Sequence, residues 1–259
     1  MFELKSENNN FFVAENGAIP CIHKASFRYE PYYQEDWLAE AFNDKASFFK
    51  NKKALIFISV GQAYHEGSKF LALIRLLNKY NFKVCDIVMA DTLQRHNFMS
   101  LSSKEAYEYT KKAGDFWLKR HEVILSEFQL PHSIIRWDDF LSHQKYLELR
   151  ERIEKEYSVN EEYQQKVIFN VETYLERLRI NNPGVDTKVL FNNGLEYLIE
   201  ELPIVMPLWA KMGYDFIIYP KPITPAMKYT HELFVKDKLG DKCHWIYLRF
   251  KKIESVCEG

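Results

Sequence analysis

Short unbroken apolar runs alternate along this chain with longer stretches of helical period. Ala54-Leu55-Ile56-Phe57-Ile58 carries no polar residue between Lys52-Lys53 and Ser59. A run of that length, bounded by polar and turn residues, predicts a strand buried on both faces. Val60-Gly61 then turns the chain, and from about Ser68 to Tyr80 the residues Phe70, Leu71, Ile74 and Leu77 fall on one helical stripe. Strand, turn and helix together predict the first βα unit of a parallel sheet. Lys83–Ala90 repeats the strand pattern and ends in Asp91-Thr92. Ser133–Trp137, Asp215–Tyr219 and Cys243–Phe250 complete the predicted strands.

Helices fill the intervals. Ser102 and Glu105 fit a capping box that opens a long helix to about Phe128. Two more are predicted over 139–157 and 160–180. The second shows Tyr163, Val167, Val171, Tyr174 and Leu178 at spacings of three and four, and Asn181-Asn182-Pro183-Gly184 stops it. A helix over 186–201 and a short one over 206–212, closed by Gly213, precede the 215–219 strand. Pro220, Pro222 and Pro225 end pairing beyond that strand. Nearer the amino terminus, 35–49 fits a short helix with Trp37, Leu38 and Phe42 inward, while Asn8-Asn9-Asn10, Gly17 and Pro20 break any pattern. With no internal repeat and no Pro- or Ser-rich linker, residues 1–259 are read as one α/β domain: a mostly parallel sheet flanked by helices.

Bulk composition narrows the function classes. A chain of 259 residues with 47% hydrophobic and 27% charged content suits a globular domain with a sizeable core. The formal net charge of -1 supplies no general attraction to nucleic acid or membrane, so RNA contact requires a local patch. Cys21, Cys85, Cys243 and Cys257 form no CxxC pair, which leaves zinc and disulfide frameworks without support. Neither a signal peptide nor an apolar run near the ~20 residues of a membrane helix is evident. The expected location is the cytoplasm.

Chemistry concentrates in a few places. Ser59 ends the first buried strand, and ligands of open α/β sheets bind at that carboxyl edge; a serine that only bonds a local turn suits the position equally. Tyr197 and Glu201 are four apart and share a helix face. A phenol beside a carboxylate suits an ammonium group, and also suits a solvated helix surface. Lys104, Lys111, Lys112 and Lys119 fall within roughly 100° of helical arc. The arc reads either as a phosphate-binding stripe or as a solvated face laced by Glu108–Lys112 and Asp115–Lys119 pairs, because the acids share it.

These pieces coincide in a known family. The strand-end serine, the run Tyr197-Leu198-Ile199-Glu200-Glu201-Leu202-Pro203 and the later strand ending in Tyr219-Pro220 resemble the cyclodipeptide synthases. Tyr219-Pro220 and Gln62, which stands where asparagine marks another branch, are similar to one branch of that family. The resemblance covers roughly residues 50–225. It departs at Lys53-Ala54-Leu55-Ile56-Phe57-Ile58, where the family's usual histidine and glycine are missing and Phe57 replaces a small residue.

The resemblance implies a Rossmann-like fold similar to the catalytic domain of class I tyrosyl- and tryptophanyl-tRNA synthetases. It implies two aminoacyl-tRNAs as substrates, no nucleotide cofactor and no metal. Ser59 is implied as nucleophile, Tyr197 and Glu201 as holders of the amino group, and Tyr219 as proton relay. Gln62, Leu55, Phe57, Ile204 and Ile217 are expected to line the substrate pocket, judged by their offsets from those residues. Lys111, Lys112, Lys119 and Arg120 are expected to meet tRNA. His65 and His96 lie close enough in sequence to the strand ends to be weighed as bases. Neither HIGH nor KMSKS occurs, nor a G-x-G-x-x-G after the first strand. Two other readings compete: a serine hydrolase using His231 or His244, although Phe57 occupies the first glycine of a G-x-S-x-G elbow, and a non-catalytic tRNA-binding module.

Overall fold

The computed structural model describes residues 22–28, 48–181, 184, 186–236, 238–240 and 242–253. The helix expected over 35–49 lies mostly outside them. Among the described residues one sheet holds six strands: β1 (Ile22–Arg28), β2 (Lys53–Ser59), β3 (Val84–Ala90), β4 (Ile134–Arg136), β5 (Phe216–Tyr219) and β6 (His244–Ile253). Their spatial order is β1-β6-β5-β2-β3-β4, with β1 antiparallel to β6 and every other pair parallel. From β2 the chain moves outward to β3 and β4, then returns to β5 on the other side of β2. The carboxyl ends of β2 and β5 therefore flank a topological switch point.

The unbroken apolar character of β2 follows from cover on both faces. Ala54, Ile56 and Ile58 pack with Phe70, Leu73, Ile74 and Leu77 of α1 (Gly67–Leu77). Leu73 thus takes an inward place, and Leu71 is only half-buried. Leu55 and Phe57 face the opposite layer. That layer holds α4 (Trp137–Leu141), α5 (Gln144–Val159), α6 (Glu161–Asn181) and α7 (Thr187–Glu201), with Trp137, Tyr163, Val167 and Leu198 in the core.

Several boundaries differ from the sequence reading. The edge strand β1 was not foreseen. The expected 102–128 helix is split into α2 (Ser103–Arg120) and α3 (Glu122–Ser126). The break is at buried His121, whose backbone leaves helical geometry and whose Nε2 accepts the Gly67 N–H at 3.2 Å. Trp137 opens α4 rather than ending β4. In place of a 206–212 helix there is a π-type turn over Ile204–Leu208 and the single turn α8 (Trp209–Lys211). Pro207 disfavours helical geometry at Met206, which adopts φ 81°. Gly213, at φ 87°, closes the turn as expected. The last helix is α9 (Pro225–His231), capped by the Thr224 side chain. Among the described residues no helix is long and apolar enough to cross a membrane.

Candidate active site

A cavity of about 640 Å³ opens at the switch point. Ser59, Tyr219, Tyr197 and Glu201 all line it, although they lie on two strands and a helix far apart in sequence. Ser59 Oγ and Tyr219 Oη are 3.0 Å apart, and Tyr219 Oη is 3.0 Å from Tyr64 Oη. Three hydroxyls thus form a chain starting at the serine. Burial pushes the Tyr219 phenol well above its ordinary range, with Tyr64 adding to the effect. A neutral phenol both donates and accepts a proton, as a relay requires. The Lys221 ammonium stands 5.4 Å from the Tyr64 ring centre.

The turn behind Ser59 is held by histidine, but not at the hydroxyl. His65 is fully buried, and its Nδ1 accepts the Ser59 backbone N–H at 3.0 Å. Burial lowers its pKa to about 3, so the ring is neutral and serves as a backbone anchor. The other histidine weighed as a base, His96, bonds Glu200 at 3.1 Å. Among the described residues the only hydrogen-bond partner of Ser59 Oγ is Tyr219.

Tyr197 and Glu201 share a face of α7 and point into the cavity. Gln94 Nε2 donates to Tyr197 Oη at 3.4 Å. Burial pushes the Tyr197 phenol well above its usual range, and the Glu201 charge adds to this. Glu201 is buried, and no hydrogen bond from the described residues reaches its carboxylate. Burial, reinforced by Glu200, raises its pKa to about 8. On its own near neutral pH this carboxyl is mostly protonated; an incoming ammonium beside it and the phenol favours its ionised form, which at a pKa near 8 is basic enough to take a proton from that ammonium.

Of the expected pocket residues, Phe57 and Gln62 line the cavity. Leu55, Ile204 and Ile217 are fully buried in the hydrophobic core and are absent from the cavity lining. Leu55 pairs with Ile217 across β2 and β5, one layer beneath Phe57. Residues the sequence reading missed include Tyr64, Gln94, Asn97, Asn170, Tyr174 and Trp245. Asn97 donates to Gln94 at 2.9 Å and accepts from Tyr174, so amides and phenols form one wall.

On α2, Lys111, Lys112 and Lys119 are exposed. The expected Glu108–Lys112 and Asp115–Lys119 pairs are not among the ion pairs of the described residues; Asp115 instead reaches Arg136 of β4 at 2.6 Å. Arg120 is committed within the chain, gripping Glu66 through three bonds of 2.7–3.1 Å. The hydrolase reading loses its histidines. His244 begins β6 opposite Phe216, at the sheet end away from Ser59, and His231 Nε2 bonds the Lys242 carbonyl at 2.9 Å. No group of three or more His, Cys, Asp or Glu among the described residues is arranged to hold a metal.

Comparison with known proteins places this geometry. The cyclodipeptide synthase family model matches residues 43–219. A cyclodipeptide synthase structure from Fluoribacter dumoffii shares 35% identity at a TM-score of 0.80, covering 90% of this chain and 100% of that one. One from Candidatus Glomeribacter gigasporarum, bound to Phe-tRNAPhe, shares 20% identity over 86% of this chain and 98% of that one, at a TM-score of 0.66. A Mycobacterium tuberculosis protein, described as showing that cyclodipeptide synthetases are related to type I tRNA synthetases, shares the fold at a TM-score of 0.59, with 14% identity over 91% of this chain and 96% of that one. No curated protein sequence gives a significant match. Family match and fold agree with the motif order read from the sequence: the chain belongs to the cyclodipeptide synthase family.

Proposed function

We propose that this enzyme joins two aminoacyl groups, each delivered as an aminoacyl-tRNA, into a 2,5-diketopiperazine through two serine-bound intermediates. One observation carries the reading: the Ser59 hydroxyl, the Tyr219 phenol and the Tyr197–Glu201 pair converge on one cavity. Ser59 Oγ attacks the carbonyl carbon of the first ester; the bond to the tRNA ribose oxygen breaks, and the serine proton leaves with the ribose hydroxyl. Splitting one hard transfer into easier steps is the gain of covalent catalysis. Tyr197 and Glu201 hold the α-ammonium of the acylated serine, and Glu201 takes its proton. The freed amine attacks the second ester and releases the second tRNA. The new terminal amine then attacks the carbonyl still bound to Ser59. Oγ departs with a proton from Tyr219, and the proton given up by the attacking amine refills the Tyr219–Tyr64 chain.

The aminoacyl ester is already activated, so the reaction consumes no nucleotide. The tRNA-bound relative supports the substrate class, and the exposed Lys111, Lys112 and Lys119 supply a face for phosphates. Residues 1–259 work as one Rossmann-like unit in this reading, since both hydrophobic layers pack on the same sheet. Its place is the cytoplasm, where charged tRNAs are found.

The test is to incubate wild type and Ser59→Ala with radiolabelled aminoacyl-tRNA, then search the products for cyclic dipeptides by mass spectrometry. Wild type should carry acid-stable label and yield product. Equal label on the alanine variant would overturn the assignment of Ser59.

A further inference from the structure

Beside Glu201 on α7 stands a second buried carboxylate, Glu200, with the opposite circumstances. Every side of it is occupied. Arg95 grips both oxygens, with Nη1 2.8 Å from Oε1 and Nη2 in contact with Oε2. His96 Nε2 lies 3.1 Å from Oε2, and Trp137 Nε1 donates to Oε1 at 2.9 Å. These donors come from the turn after β3 and from the start of α4. Glu200 thus ties the carboxyl ends of β3 and β4 to the helix that carries Tyr197 and Glu201. Burial would push the Glu200 pKa up, but the bonds from His96 and Arg95 and the Arg95 charge outweigh it and hold it at about 2. One carboxylate is locked and ionised, while its neighbour is empty-handed and ready to take a proton.

Pairs of titratable groups whose surroundings drive them apart mark an acid–base division of labour. We propose that Glu200, clamped by Arg95, His96 and Trp137, is a positioning residue that fixes the α7 terminus and sets the field in which Glu201 takes the substrate's proton. The inference rests on the reading of Glu201 as the proton acceptor. The charged and titratable groups around the pair are Arg95 and His96 after β3, Tyr146 and Arg150 on α5, Tyr174 on α6, Tyr197 on α7 and Tyr219 on β5. Among the described residues Arg95 is the one Lys or Arg paired with Glu200, the residue next to Glu201. Opposite perturbations should therefore move Glu201 in opposite directions. Removing the Glu200 charge leaves Arg95 unbalanced and makes Glu201 easier to ionise; removing the Arg95 charge leaves Glu200 unbalanced and makes it harder.

The experiment follows the Glu201 carboxyl by carbon-13 NMR in protein labelled at glutamate, assigned by its loss in Glu201→Gln. Glu200→Gln should lower the titration midpoint by about one pH unit or more, and Arg95→Gln should raise it by a similar amount. Trp137→Phe, which removes a neutral hydrogen bond, should leave the midpoint in place. The acid limb of kcat/KM for aminoacyl-tRNA should shift with each midpoint. An unmoved midpoint in Glu200→Gln, a shift of the same sign in both charge variants, or an equal shift in Trp137→Phe would overturn the proposal. Should Glu200→Gln not fold, Arg95→Gln decides alone by the sign of its shift. Full activity of Glu201→Gln would instead refute the parent reading, whereas the NMR midpoints judge the Glu200 role directly.

Discussion

Phe57 offers the sharpest test of how the sequence shapes the product. It is two residues before Ser59 and on the same face of β2. Its ring is 1% exposed yet belongs to the cavity wall. It packs 5.2 Å from the Trp209 ring centre, 5.4 Å from Tyr219 and 6.1 Å from Trp137. A benzyl group held by three aromatic neighbours does not swing aside easily, so the first aminoacyl group on Ser59 is expected to be small, such as Gly or Ala. Phe57→Ala removes the ring from a buried site, which costs about 3–5 kcal/mol. The lower end is expected, because one side of the ring already borders open space. At roughly 2–4 °C per kcal/mol for a chain of this size, Tm should fall by about 6–12 °C. The same change should admit larger first residues. Each methylene that fits or clashes in an apolar pocket is worth about 1–3 kcal/mol, so kcat/KM for Leu- or Phe-tRNA as first substrate should rise roughly a hundredfold. The assay supplies mixed aminoacyl-tRNAs to both proteins and identifies the acyl group trapped on Ser59, with thermal melts run in parallel. Trapped Phe, Tyr or Leu on the wild type would refute the steric argument.

Three further outcomes are expected. Lys111→Ala with Lys112→Ala should raise KM for aminoacyl-tRNA and flatten its salt dependence, whereas Arg120→Ala should leave the salt slope alone and loosen the Ser59 loop, because its guanidinium is bound to Glu66. Gly114→Ala on α2 should destabilise by about 1–3 kcal/mol in urea unfolding, since the new methyl would lie 2.5 Å from Asp91 Oδ2 and 2.7 Å from Arg136 Nη2. Glu201, whose pKa is raised from 4.5 to about 8 when folded, favours the folded state below pH 4.5 and loses that contribution as pH rises to 8; Glu201→Gln should flatten stability against pH across that window, and an unchanged slope would refute the assignment.

The legible parts of the fold were those where burial on both sides leaves an unbroken apolar run. β2, β3 and β5 meet that condition, with all but the first or last residue of each buried. β1 does not: His23-Lys24-Ala25-Ser26-Phe27 alternates weakly, and its strand identity comes from antiparallel pairing with β6. In the site, Ser59, Tyr197, Glu201 and Tyr219 were marked by motif spacing. Leu55 and Ile217 were misjudged because alternation fixes the face of a residue and not its depth. Ile204 was misjudged because the chain leaves α7 through a π-type turn rather than continuing straight. Tyr64, Gln94, Asn97 and Asn170 had no local signal, since they reach the cavity from three separate segments. Arg95 and His96 sat just past a predicted strand edge, but their common partner Glu200 is about a hundred residues away.

The arrangement around Ser59 also bears on how the proposed nucleophile would act without a histidine at its hydroxyl. In a serine hydrolase the base must raise a weak nucleophile against a poorly activated substrate. Here His65 is held neutral under the backbone of Ser59, and among the described residues the hydroxyl meets only a neutral phenol. Such a site makes little alkoxide character at rest, so simple esters and water should gain little from it. An aminoacyl-tRNA brings its own activation in the ester and its own second nucleophile in the α-amine. What the protein must then supply is a place for that ammonium, a carboxylate able to take its proton and a donor that returns a proton to the departing serine oxygen. In the proposed mechanism Glu201 with Tyr197 meets the first two needs, and the Tyr219–Tyr64 chain meets the third. The roles proposed for Glu200 and Glu201 fit the same logic: charge would be fixed where it holds the scaffold and movable where the substrate's proton must go.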